Sequence, residues 1–100
     1  MALIVDAHED IAYNILNFGR DYTRSVAETR RLEHGSEIID QNGHTLFGWP
    51  EYQQGKIALV FSTLFGLPKR FQVGAWEEVV YNNPDEAHKL YRSQIDIYRR

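Results

Sequence analysis

Cysteine is absent from this 100-residue chain. Its absence removes disulfides, thiolate nucleophiles and cysteine-type zinc sites together. Basic charge is scarce too: 11 Lys and Arg against 14 Asp and Glu give a formal charge of −3. The first fifty residues hold four basic and eight acidic groups, and the last fifty hold seven and six. No basic footprint results, so a nucleic-acid partner is not expected. No apolar run approaches the roughly 18 residues that a membrane span needs. A glycine-rich phosphate loop is missing, and no Gly-x-Ser-x-Gly elbow surrounds Ser62. Met1 leads straight into Ala2–Val5 rather than into a signal peptide, so a cytoplasmic product is expected.

What is present is ordinary globular composition, 43% hydrophobic and 25% charged, which predicts one domain over 1–100 and no second. Ala2–Val5 reads as a buried strand of a parallel sheet, followed by a polar turn from Asp6 to Asp10. Ile11, Ile15 and Phe18 recur at helical spacing, and Gly19 can stop that helix. A second helix is expected between residues 20 and 35, with Ser25 and Glu28 as a capping box and Gly35 as its end. Its Arg20, Arg24, Arg30 and Arg31, interleaved with acids, read as a solvated face.

Asn42-Gly43 between Ile38–Asp40 and His44–Phe47 predicts a β-hairpin. Pro50 to Gly55 reads as a short helical turn, and Ile57–Phe65 as a second buried strand. The last helix is marked by Asn83, Pro84, Asp85 and Glu86, and carries a stripe of Ala87, Leu90, Tyr91, Ile95 and Tyr98. It meets no stop signal before Arg100. Two buried strands with helices between them predict parallel pairing through a crossover. Two strands leave open apolar edges, so the pattern predicts a piece of a larger α/β protein.

His8 and Asp10 are the sharpest chemical feature. Residues two apart on an extended segment point to one side, and an imidazole beside a carboxylate offers two ligands to a divalent metal. The strand's C-terminal end is also where (β/α) barrels place their active sites. The competing reading makes Asp10 a helix cap and His8 a turn residue. His34, His44 and His88 read as surface histidines. Glu77-Glu78 and Asp85-Glu86 read as helix-surface acids, and Trp49, Trp76, Phe65 and Phe71 as an aromatic patch.

The stretch Ile4-Val5-Asp6-Ala7-His8-Glu9-Asp10-Ile11 resembles the opening of the membrane (renal) dipeptidase family of the amidohydrolase superfamily, whose first strand ends in Asp-x-His-x-Asp. The segment from Trp49 to Ser62 is similar to that family's second block, and Ala87 to Arg100 to the helix after it. The resemblance implies the N-terminal portion of a (β/α)8 TIM-type barrel: two βα units plus the β-hairpin insertion. It implies a zinc-dependent hydrolase of dipeptides, with two zinc ions in the complete enzyme and a metal-activated bridging water. His8 and Asp10 match the two first-strand metal ligands. Tyr13 stands where the family often has an aromatic near the substrate, although its spacing alone makes it a core residue. No catalytic residue is expected within this chain. The other ligands fall beyond Arg100, since such a barrel takes about 250 residues. The isolated segment is expected to be inactive, and the intact protein a homodimer.

Two alternatives stand beside this. One is another metal-dependent amidohydrolase, a lactonase or deaminase, although those relatives generally have a second His in place of Asp10. The other is a non-catalytic interaction protein built on the same fold.

Overall fold

The computed structural model describes residues 2–99. Its elements run β1 (Ile4–Glu9), α1 (Ile11–Phe18), α2 (Val26–Glu33), α3 (Ile38–Asn42), α4 (Trp49–Gln54), β2 (Ile57–Ser62), β3 (Leu67–Pro68), β4 (Val80–Tyr81) and α5 (Pro84–Tyr98). β1 pairs with β2, and β3 with β4. In the second pair Leu67 lies opposite Val80 and Pro68 opposite Tyr81, in parallel. In the first, the Ile4 N–H reaches the Lys56 carbonyl at 3.1 Å, and the Thr63 N–H reaches the Glu9 carbonyl at 3.0 Å. Like ends therefore meet, and these strands are parallel too. Four helices fill the crossover between them. Each sheet has two strands, and no barrel closes among the described residues.

The chain divides into two compact units, Met1–Ala7 with Arg20–Val60, and His8–Gly19 with Phe61–Arg100. In the first unit the Ser25 hydroxyl caps α2 by accepting from the Glu28 N–H at 3.2 Å. The Glu28 carboxylate does not complete the capping box but pairs with Arg31 at 2.7 Å. The Arg20 guanidinium forks onto both Glu33 oxygens at 2.9 and 3.0 Å and donates to the Gly43 carbonyl at 2.8 Å. Both side chains are buried, 4% and 9% exposed. Arg20 is therefore not part of a solvated face, as its sequence neighbourhood predicts; Arg24 and Arg31 are. Tyr22, Phe47 and Tyr52 stack nearly parallel at 4.6 and 5.1 Å.

The β-hairpin insertion is not formed. Residues 38–42 are the helix α3, and Gly43 ends it at φ +75°, its N–H returned to the Ile39 carbonyl. A positive-φ glycine serves a helix stop as readily as a hairpin turn. No ladder forms beyond it. The Gly43 and Thr45 carbonyls accept instead from Arg20 and Arg30.

In the second unit α1 ends at Gly19, in the left-handed region at φ +63°. Asn83 caps α5 by accepting from the Glu86 N–H at 2.9 Å, and Pro84 opens it. Both ends match the sequence reading. The buried apolar side chains among the described residues are Ala12 and Val79, joined by the fully buried Gln94. Gln94 receives the Phe65 N–H at 2.8 Å and donates to the Phe65 carbonyl. Glu77-Glu78 lies in an irregular loop, not a helix, and Glu77 is buried.

The two long strands are not buried as expected. Ile4, Val5, Leu59 and Phe61 are exposed. Parallel strands lose contact with water when helical layers cover both sheet faces, and these side chains have no such cover.

Candidate metal site at the end of the first strand

β1 runs on through Glu9, so His8 stands on the strand itself and not in a polar turn after Val5. Asp10 follows at the N-cap position of α1. The period-two geometry puts both side chains on one side. His8 Nε2 and Asp10 Oδ1 are 3.4 Å apart, with His8 69% and Asp10 39% exposed. A good N–H···O hydrogen bond spans about 2.7–3.2 Å, so this pair is looser than one. Zinc bonds of about 2.0–2.1 Å at tetrahedral angles hold neighbouring donors about 3.4 Å apart. The two atoms therefore fit adjacent ligand positions on one zinc ion. No group of three or more His, Asp or Glu side chains able to hold a metal gathers among the described residues.

The carboxylate of Asp10 does not cap its helix. Its backbone carbonyl takes the Asn14 side-chain amide at 2.8 Å, while its Oδ1 accepts from the Thr63 hydroxyl. Thr63 lies just past β2, with the Glu9 carbonyl 3.3 Å from the same hydroxyl. The Tyr98 hydroxyl of α5 donates to the Thr63 carbonyl at 2.8 Å and accepts from the Ala12 N–H at 3.0 Å.

Tyr13 sits on α1, its ring edge-on to Phe65 at 5.1 Å. Its hydroxyl donates to Glu77 Oε1 at 2.9 Å. Burial raises its pKa above the usual phenol value, the Glu77 carboxylate adds to that, and the charge of Asp10 pushes the same way. Tyr13 thus lies within the electrostatic reach of Asp10.

No family model, no curated protein and no solved structure matches the chain.

His34, the C-cap of α2, and His44 and His88 are exposed and stand apart from the pair in sequence. The sequence reading missed Thr63 and Tyr98. Tyr98 carried a signal only as a member of the α5 stripe, and Thr63 only as the residue after the Phe-Ser of the second strand. A cavity of about 520 Å³ opens between Lys69, Arg70 and the start of α5, and none of His8, Asp10 or Tyr13 lines it. No helix among the described residues is long and apolar enough to cross a membrane.

Proposed function

We propose that this chain is the opening segment of a metal-dependent amidohydrolase of the dipeptidase type, with His8 and Asp10 as first-strand ligands of zinc. The observation that carries the reading is the 3.4 Å separation of His8 Nε2 and Asp10 Oδ1 at the C-terminal end of a parallel strand, with the carboxylate not spent on α1. Bound there, zinc supplies carbonyl polarisation and a water activated near neutral pH.

The chain's own part is to present one nitrogen and one oxygen donor at fixed spacing. The remaining ligands come from elsewhere in the complete barrel. Tyr13 faces substrate through its ring alone, since Glu77 holds its hydroxyl. The exposed Ile4, Val5, Leu59 and Phe61 support the larger sheet, because interior strands of a barrel carry such residues on both faces. Retention of Asp10, where lactonase-type relatives carry His, favours dipeptides.

The product of the complete reading frame, assayed on dipeptides and on lactones, tests this. Zinc-dependent dipeptide cleavage that disappears in His8→Ala and in Asp10→Asn is expected. Cleavage that survives both substitutions overturns the assignment, and cleavage of lactones alone moves it to the other branch.

A further inference from the structure

A carboxylate at the N-cap of a helix ordinarily accepts from the amide of the second or third helical residue. At α1 that second residue is Ala12, and its N–H goes to the Tyr98 hydroxyl, 86 residues away, at 3.0 Å. A phenol hydroxyl can donate once and accept at the same time. Tyr98 does both, receiving from Ala12 and giving to the Thr63 carbonyl at 2.8 Å. Thr63 in turn gives its own hydroxyl proton to Asp10. The ring closes along the backbone from Asp10 to Ala12. One turn before Tyr98, the fully buried Gln94 grips both backbone groups of Phe65. The segment after β2 is thereby fixed to α5, and the hydroxyl of Thr63 with it.

We infer that Tyr98 is a positioning residue: it caps α1 in place of Asp10, and through Thr63 it holds the released carboxylate beside His8 as a metal ligand. The inference rests on the metal reading above and adds what keeps the ligand available. Tyr98 itself touches neither metal nor substrate.

The test is a zinc chloride titration of the isotope-labelled product of the complete reading frame, followed by NMR at the His8 ring and the Asp10 side-chain carboxyl carbon. In Tyr98→Phe the Asp10 carbon signal should shift before any zinc is added, as the carboxylate turns to the vacant Ala12 amide. The zinc concentration that half-saturates His8 should then rise about tenfold, as is typical when a partner of a metal ligand is lost. Thr63→Val should give a similar rise with the Ala12 amide undisturbed, and Thr63→Ser should restore the original midpoint.

An unchanged Asp10 signal and zinc midpoint in Tyr98→Phe would overturn the inference and leave Tyr98 a packing residue. If Tyr98→Phe does not fold, the threonine pair decides, and equal midpoints in Val and Ser variants overturn it. A wild-type His8 ring that ignores zinc overturns the metal reading instead. The zinc-free Asp10 signal in Tyr98→Phe then still decides the capping half by itself.

Discussion

Replacing Glu33 with alanine should strand the Arg20 guanidinium in the interior of its unit. The wild-type pair has two parallel N–H···O bonds of 2.9 and 3.0 Å and almost no contact with water. Removing one member of such a pair costs about 3–5 kcal/mol, because the survivor keeps its desolvation penalty and loses its counter-charge. With a urea slope of about 2 kcal/mol per molar, the midpoint should fall by about 2 M. Replacing both residues, as Arg20→Met with Glu33→Leu, leaves no buried charge behind and takes the donor from the Gly43 carbonyl, at about 1–3 kcal/mol. The double variant should therefore be more stable than Glu33→Ala alone. Trp49 belongs to the same unit as Arg20, and Trp76 to the other. Fluorescence in a Trp76→Phe background thus reports the relevant unfolding. A double variant less stable than the single one, or a Glu33→Ala within about 1 kcal/mol of wild type, would refute the reasoning.

Gln94→Leu should unpair the N–H and the carbonyl of Phe65 at about 1–3 kcal/mol for each group, and hydrogen exchange at the Phe65 amide should accelerate. Gly48→Ala would drive a Cβ into the Arg24 carbonyl oxygen; an overpacked backbone contact costs about 1–3 kcal/mol, visible as a lowered Tm by circular dichroism. Tyr13 holds its proton more tightly when folded, chiefly through burial and then through Glu77. The stabilisation this gives is complete below the ordinary phenol value of 10.0 and declines as the pH rises past it. Absorbance titration should show phenolate formation delayed at one tyrosine, with the delay absent in Tyr13→Phe.

Features set by neighbours in sequence were legible. Asn83, Pro84, Asp85 and Glu86 act within one turn of each other, and α5 begins where they place it. Ser25 and Gly19 likewise mark the start of α2 and the end of α1. The His8–Asp10 pairing needs only an extended backbone and a spacing of two. Asn42-Gly43 misled because the same positive φ ends a helix or turns a hairpin, and the choice fell to Arg20, 23 residues from Gly43, and Arg30, 15 residues from Thr45. Arg20–Glu33 spans 13 residues, and no helical or strand period links such a pair. Gln94 offered one unread clue, a polar residue one turn from Leu90, Tyr91 and Tyr98 on an otherwise apolar stripe. Thr63 and Tyr98 reach the site only through pairing of β2 with β1 and the docking of α5, which local patterns do not encode.

Anomalous diffraction at the zinc edge, from crystals of the complete gene product saturated with zinc, tests the central claim most directly. The account predicts a peak within about 2.0–2.2 Å of both His8 Nε2 and an Asp10 carboxylate oxygen. A zinc peak bound by other residues, with His8 and Asp10 uninvolved, would contradict it.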